Sequence, residues 1–145
     1  MQGANIEAAR RLYDECWNEG KLDVLDEVVS EDAAVHDMLM GDIDREAVKQ
    51  NITMYRKSFP DLEFTVEDSF EAGDKVITRW SVDGTFEEEF MGLEPTHDRG
   101  GPPVRGINID RFAGGKIVET WSAWDALQFM RDVGAVSDSE VPTAG

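Results

Sequence analysis

The sequence predicts an α+β fold in which a curved antiparallel sheet packs on three N-terminal helices and leaves a cone open at one end. Two observations lead to this class. Apolar residues recur about every 3.6 positions as far as Pro60, the spacing of amphipathic helices, and at every second position beyond it, the spacing of strands. Helices followed by a run of strands pack on one face of an antiparallel sheet.

Three amphipathic helices are predicted before Pro60, with a brief strand between the second and the third. Asp42 or Asp44 is the candidate N-cap of the third helix, because an aspartate side chain accepts a hydrogen bond from the first helical turn. Pro60 marks the end of this helix, since proline breaks the helical hydrogen-bond pattern. The first elements are helices at residues 5–19 and 22–29, a strand at residues 30–37 and a helix that ends before residue 60.

Strands and turns follow Pro60. The residue pairs Gly73-Asp74, Asp83-Gly84 and Gly114-Gly115 mark turns between alternating segments. Residues 1–135 are expected to form one domain, and residues 136–145 a flexible tail. The later elements are strands at residues 62–70, 76–82, 85–90, 104–112 and 116–124, a long loop at residues 91–103 and a short helix at residues 126–133.

The chain is strongly acidic. Its 145 residues include 31 acids and 14 bases and carry a formal net charge of −17. The net charge of a small domain usually has a magnitude of about 2–8. Such a surface lacks the basic footprint of a nucleic-acid-binding protein and is repelled by anionic membranes. Salt screens the repulsion between like charges, so we expect a salt-adapted, halophilic protein; the alternative is an acidic protein without salt adaptation.

The remaining composition limits the kind of site. A single cysteine, Cys16, excludes an intrachain disulfide, and His36 and His97 have no metal-ligand spacing. We therefore expect no metal and no cofactor. No apolar segment has the length of a signal peptide or a membrane span, so a cytoplasmic location is expected.

Four segments resemble the SnoaL-like polyketide cyclase and ester cyclase family, which belongs to the nuclear-transport-factor-2-like superfamily. They are RLYDECWNEGKLDVLDEVVSEDAAVHD, SFPDLEFTVEDSFEAGDKVITRWSVDGT, FMGLEPT and RGINIDRFAGGKIVETWSAWDALQFMRDVGAV. The resemblance implies a cone-shaped α+β fold, a homodimer formed through the sheet, and a cofactor-free pocket for a small hydrophobic molecule. It also implies aldol-type ring closure by a carboxylate and a histidine.

The family's catalytic residues are not kept here. Matched on the Gly-Lys-Ile turn, the position of the family's carboxylate is Ser122 and that of its histidine is Asn108. Serine and asparagine form hydrogen bonds, but neither is a base at neutral pH.

Four other residues are candidate acids or bases. Asp110 shares a strand face with Asn108 and would point inward; the alternatives are an ion pair with Arg79 or Arg111, or a position facing solvent near the end of the hairpin. His36 and Asp37 together could shuttle a proton at the mouth of the cone, or His36 could cap the third helix or bind a backbone carbonyl. Asp125 could act as an acid or base, or cap the last helix.

Aromatic and polar side chains are the candidate ligand-binding residues, with core packing as the alternative for the aromatics. The Tyr55 hydroxyl could also donate to an enolate oxygen. The candidates are Trp17, Tyr55, Phe59, Trp80, Asn108, Ser122 and Trp124.

Two functions remain open. The first is cofactor-independent acid/base catalysis, of the cyclase or isomerase type, on a small hydrophobic carbonyl compound. The second is a non-catalytic ligand-binding or dimerisation module that has lost the acid/base pair. An epoxide-hydrolase-like site would need an Asp-Arg-Asp group, of which Asp110 and Arg79 supply only part.

Overall fold

The computed structural model describes residues 3–95 and 103–136 and confirms the α+β class. The predicted tail lies outside the described residues from residue 137 onward. In chain order the described elements are α1 (Ala4–Arg11), a π-helical turn (Leu12–Trp17), α2 (Leu22–Val28), β1 (Val29–Asp37), β2 (Gly41–Ile43), α3 (Arg45–Ser58), β3 (Glu63–Ala72), β4 (Lys75–Asp83), β5 (Val104–Ala113), β6 (Lys116–Trp124) and α4 (Ala126–Asp132).

The strands form one curved six-stranded sheet in the order β2-β1-β6-β5-β4-β3. Strands β3 to β6 pair with one another in antiparallel fashion, as predicted. Strand β1 departs from this pattern, because it pairs with β6 in parallel. Irregularities in register between Val66 and Asp68 and between Arg111 and Phe112 are of the kind that bends strands and increases their twist.

Residues 85–90 do not form the predicted strand. The backbone N–H groups of Glu87 and Glu88 donate to the carbonyl of Ser58, at the end of α3. Phe86 and Phe90 are buried, in a cluster with Phe59. The segment therefore lies along the end of α3, and its two aromatic rings are part of the core.

The helices are fixed to the sheet by side-chain hydrogen bonds. Asn18 binds the backbone of Phe64 in both directions, at 3.0 Å and 2.7 Å. Arg56 of α3 donates to the carbonyl oxygens of Trp17 and Asn18, both at 2.8 Å. Asp44, the second of the two candidate caps, accepts from the Ala47 N–H at 2.9 Å. The bonds of Asn18 and Arg56 hold the end of the π-helical turn between α3 and β3, whereas the Asp44 bond caps α3 itself.

Two clusters of buried apolar residues enclose the inner face of the sheet. The first packs α1 and α2 on the sheet and includes Leu25, Ile52 and Ile117. The second packs α4 and the end of α3 near the opposite end and includes Phe59 and Phe129. A cavity lies along the inner face of the sheet. None of the helices among the described residues is long and apolar enough to cross a membrane.

Candidate functional site

The cavity has a volume of about 170 Å³ and a wall rich in aromatic side chains. All five aromatic residues that the sequence suggested for ligand binding line it. They are Trp17, Tyr55, Phe59, Trp80 and Trp124. An engineered apolar cavity of about 150 Å³ in another protein binds benzene, so this cavity suits a compact ring compound. Small-molecule sites in proteins are commonly apolar, with a few placed polar groups.

The aromatic wall is packed ring against ring. The Trp17 ring lies 5.8 Å from that of Tyr55 and 5.0 Å from that of Phe64, and Phe64 lies 5.0 Å from Trp80. Gly106 of β5 gives the Trp80 ring room, because a β-carbon at this position would come within 2.7 Å of both Trp80 Cε2 and Trp124 Cβ. The wall therefore depends on a glycine that strand periodicity does not reveal.

Three polar side chains form a row across the sheet. Asp37 of β1 pairs in register with Ser122 of β6, which pairs with Asn108 of β5. All three line the cavity. Neighbouring strands lie about 4.8 Å apart, so the row gives one carboxylate, one hydroxyl and one amide along one wall. Ser122 and Asn108 are the two residues that the sequence resemblance matches to the family's acid/base pair.

Asp37 is held firmly at one oxygen and loosely at the other. Its Oδ2 accepts from the backbone N–H groups of Leu39 at 2.9 Å and Met40 at 2.8 Å. Its Oδ1 accepts from the indole Nε1 of Trp124 at 3.3 Å, which is long for such a bond. The turn from β1 to β2 thus fixes the carboxylate, while Oδ1 keeps a lone pair for a ligand.

Tyr55 of α3 places a hydroxyl near this carboxylate. Burial and the negative charge of Asp37 raise the pKa of Tyr55 well above its usual value of 10. The phenol therefore stays protonated across the physiological range. A protonated hydroxyl beside a carboxylate can donate a hydrogen bond to a ligand oxygen as negative charge develops there.

The amide of Asn108 is oriented by Trp80. The indole Nε1 of Trp80 donates to Asn108 Oδ1 at 3.0 Å. With the amide oxygen engaged, the Nδ2 group keeps two donors. Asn108 therefore presents hydrogen-bond donors to a ligand oxygen, which is a binding role and not that of a base.

Asp110 points inward, as the strand alternation predicts, but it lies beneath the cavity and is not one of the described lining residues. Its side chain is fully buried, and Thr120 Oγ1 donates to its Oδ1 at 2.6 Å. Burial raises the pKa of Asp110 to about 6, and the bond from Thr120 partly opposes this. The alternative pairing with Arg79 or Arg111 is not formed in the structure, because Arg79 binds Asp68 and Arg111 binds Glu119.

His36 lies on the outer face of the sheet, opposite to Asp37. Its Nδ1 is 2.8 Å from Asp42 Oδ1, and its Nε2 is 2.8 Å from Glu119 Oε2. Its ring stacks on that of Trp121, with 5.8 Å between the ring centres. Asp42 and Glu119 raise the pKa of His36. The structure thus separates the two members of the predicted His-Asp pair, because adjacent strand residues point to opposite faces.

Asp125 caps α4. Its side chain accepts from the backbone N–H of Gln128 at 3.1 Å. It borders a shallow groove on the outer side of the sheet that also includes Arg79 and Arg105. This position agrees with the capping alternative.

Several lining residues are missing from the sequence-based site. Tyr13, Phe64 and Val82 line the cavity. Each belongs to a segment with helical or strand periodicity, but periodicity alone does not distinguish a cavity-lining side chain from a core side chain. Asn51 and Asp132 also line the cavity, and no sequence motif marks them. Within residues 3–95 and 103–136, no three acidic, histidine or cysteine side chains are grouped as metal ligands.

Comparison with known proteins identifies the family. The model of the family described as SnoaL-like polyketide cyclase matches residues 7–133, most of the chain. The chain belongs to the SnoaL-like polyketide cyclase family. This confirms the resemblance carried by the four sequence segments. No curated protein matches the chain in sequence.

Solved structures similar to this SnoaL-like protein carry related names. A protein from Jannaschia sp. CCS1, assigned as a SnoaL-like polyketide cyclase, is 25% identical, with a TM-score of 0.78 over 92% of this chain and 94% of that one. IdmH from Streptomyces antibioticus, assigned as a polyketide cyclase, is 30% identical, with a TM-score of 0.73 over 90% and 98%. AclR from Streptomyces galilaeus, assigned as a hydroxylase, is 25% identical, with a TM-score of 0.76 over 95% and 84%. One family fold thus carries more than one assigned reaction.

Proposed function

We propose that this SnoaL-like protein catalyses cofactor-independent acid/base chemistry, of the cyclase or isomerase type, on a small hydrophobic carbonyl compound. The observation that supports the proposal most is the position of Asp37, a carboxylate held at one oxygen inside an aromatic cavity, with Tyr55 and Asn108 as nearby donors. The family's own acid/base positions carry Ser122 and Asn108, so a catalytic base has to come from another element.

The proposed steps follow from these groups. Asp37 Oδ1 takes a proton from the carbon beside the carbonyl, and the C–H electron pair moves to form the enolate. Donors such as the Tyr55 hydroxyl and the Asn108 amide bind the enolate oxygen. The enolate carbon then attacks a second carbonyl of the same molecule, and Asp37 gives its proton to the alkoxide that forms. For an isomerisation, the substrate has a double bond conjugated with the enolate, and Asp37 returns its proton to the far carbon of the dienolate.

The test is hydrogen–deuterium exchange beside the carbonyl of 2-tetralone, a compact enolisable ketone, followed by NMR in deuterated buffer. The protein is expected to accelerate exchange. Because general base catalysis contributes about 10²–10⁴-fold, Asp37→Asn should remove at least about 100-fold of the acceleration. Asp68→Asn is the matched control, since Asp68 binds Arg79 on the outer face. Equal rates in wild type and Asp37→Asn would refute the proposal.

The non-catalytic alternative is favoured by the same two substitutions at the family positions. It predicts that 2-tetralone binds in the cavity and that the protein does not accelerate exchange at any pH. Binding without exchange would therefore assign the protein to ligand binding.

We also propose that two copies associate through the outer face of the sheet. Ile107 and Trp121 alternate with the inward row and remain 46% and 38% exposed, and Ile109 pairs in register with Trp121. Large exposed apolar side chains on one face mark an association surface. Trp121→Glu should lower the molecular mass measured by light scattering from two chains to one. A single-chain mass for the wild type would contradict this.

A further inference from the structure

A closed belt of contacting side chains lines the cavity, and six of them are aromatic. The centres of successive rings lie between 5.0 Å and 5.8 Å apart. The polar row of Asp37, Ser122 and Asn108 closes the belt. At one end of this row Trp80 Nε1 donates to Asn108 Oδ1 at 3.0 Å, and at the other Trp124 Nε1 donates to Asp37 Oδ1 at 3.3 Å. In order, the rings of this aromatic belt are Trp124, Phe129, Tyr55, Trp17, Phe64 and Trp80.

Neighbouring rings of the aromatic belt are tilted and not stacked. The angles between their planes run from 45° to 66°. Tilted rings leave part of each face uncovered by its neighbour, and the face of an aromatic ring carries partial negative charge. Four of the six residues, Trp17, Tyr55, Phe64 and Trp124, are only half-buried. A ligand in the cavity can therefore touch ring surface directly.

Asp37 is the one charged side chain in the ring of contacts. It is half-buried, and its hydrogen-bond partners among the described residues are two backbone N–H groups and an indole N–H, all of them neutral. Asp83 and Asp132 also line the cavity, whereas the described lining residues include no lysine, arginine or histidine. The described wall thus carries negative charge without a positive side chain of its own.

A ligand that fills the cavity displaces water from Asp37. A carboxylate that leaves water is costly unless a positive group pairs with it. A neutral ligand leaves Asp37 without such a group, and an anionic ligand adds repulsion. A ligand with a cationic nitrogen supplies the missing charge, and aromatic faces attract the same cation. The wall therefore favours a positive ligand on two separate grounds.

We propose that the cavity is a binding site for small ring compounds that carry a cationic nitrogen, held against the aromatic belt beside Asp37 Oδ1. The inference rests on the proposed function in using the same cavity, and it makes the substrate a ketone with an ammonium group. Positive charge near the carbonyl also stabilises the enolate, because it lies close to the oxygen that becomes negative. The described wall offers that oxygen only neutral donors, so the substrate brings the cation that the wall lacks.

Three probes with one two-ring skeleton test the preference for positive charge. Protonated 1,2,3,4-tetrahydroisoquinoline is the cation, 2-tetralone is neutral and 1,2,3,4-tetrahydro-2-naphthoate is the anion. Binding of each is measured by NMR titration at neutral pH in physiological salt, which limits long-range attraction to the acidic surface. Because a contact with a charged group contributes about tenfold or more in affinity, the cation should bind at least about tenfold tighter than 2-tetralone. The anion should bind more weakly than 2-tetralone.

Variants show whether the preference comes from Asp37. Asp37→Asn removes the charge and keeps an oxygen for the N–H groups of the turn, so the ratio of the cation affinity to the 2-tetralone affinity should fall to near one. Asp68→Asn is the matched control, because it lowers the net charge equally on the outer face, where Asp68 binds Arg79. It should keep the ratio of the wild type. A ratio that persists in Asp37→Asn, or that falls equally in both variants, would overturn the inference.

A measurement on the wild type covers the case in which Asp37→Asn does not fold. N,N-Dimethyl-1,2,3,4-tetrahydroisoquinolinium has a permanent charge and no N–H, so it binds as a cation without donating an N–H hydrogen bond. Its N-methyl proton resonances should move upfield on binding, because protons above an aromatic face are shielded. NOEs should connect them to ring protons of Tyr55 or Trp124. N-methyl resonances that do not move at saturation would overturn the inference.

The outcomes for the two proposals are distinct. A cation that binds no tighter than 2-tetralone would overturn this inference, even if Asp37-dependent exchange of 2-tetralone is intact. A cation preference that depends on Asp37, together with absence of exchange, would support the inference and overturn only the proposed function. Absence of binding by all of the probes would overturn both.

Discussion

Replacing Gly106 by alanine tests whether the cavity wall is built as described. The added β-carbon would lie 2.7 Å from Trp80 Cε2 and 2.7 Å from Trp124 Cβ, distances that real β-carbons essentially never show. Overpacking of this kind costs about 1–3 kcal/mol. Alanine recovers roughly 0.5–1 kcal/mol, because glycine is unfavourable within a strand. The expected net loss in the free energy of unfolding is about 1 kcal/mol.

The assay is urea unfolding followed by circular dichroism, combined with 2-tetralone binding. Because the Trp80 ring has to move, Gly106→Ala should also weaken binding. A double-mutant cycle identifies the cause. In a Trp80→Ala background the substitution should cost at least about 0.5 kcal/mol less, as expected for residues in contact. An unchanged unfolding free energy together with zero coupling to Trp80 would refute the reasoning.

Three further predictions concern stability. Folding raises the pKa of Asp110 from 3.8 to about 6. Relative to Asp110→Asn, the wild type should therefore lose up to about 3 kcal/mol of unfolding free energy as the pH rises from about 4 to above 6. Unfolding free energies that change in parallel with pH in the two proteins would contradict this. Asp125→Ala should lower unfolding stability by about 1 kcal/mol, while Asp125→Asn should keep both the cap and ketone exchange; exchange lost in Asp125→Asn would instead indicate an acid/base role. Raising KCl from about 0.1 M to about 1 M should raise the thermal midpoint, because it shortens the range of repulsion among the surface acids; a midpoint that does not rise would remove the halophilic hypothesis.

Most helices and strands could be predicted from the sequence, because each has its own spacing of apolar residues. The third helix, its end near Pro60 and the four antiparallel strands β3 to β6 follow from local patterns. The short β2 strand and the parallel pairing of β1 with β6 do not, because alternation reveals a face and not a neighbour. The strand predicted at residues 85–90 is wrong, because Asp83-Gly84 has the composition of a hairpin turn, whereas the segment after it buries Phe86 and Phe90 in a cluster with Phe59.

The site could be predicted only in part, because strand alternation shows which face a side chain is on and not what lies against that face. Alternation predicted that Asn108 and Asp110 share one face of their strand, and the family resemblance implied that this face and Ser122 point inward. Alternation does not tell how far along the strand the cavity extends, and in the structure Asn108 lines the cavity whereas Asp110 is not among the lining residues. The adjacent pair His36 and Asp37 could be recognised as chemically interesting, yet only the direction of β1 shows which of the two points inward.

The position of a bound ketone shows most directly whether Asp37 can act as the base. A ketone bound as proposed lies in the aromatic cavity, with the carbon beside its carbonyl next to Asp37. Intermolecular NOEs of 2-tetralone with the wild-type protein should therefore connect its methylene protons to ring protons of Tyr55 and Trp124. NOEs to Trp121 on the outer face without contacts to Tyr55 and Trp124 would contradict the account.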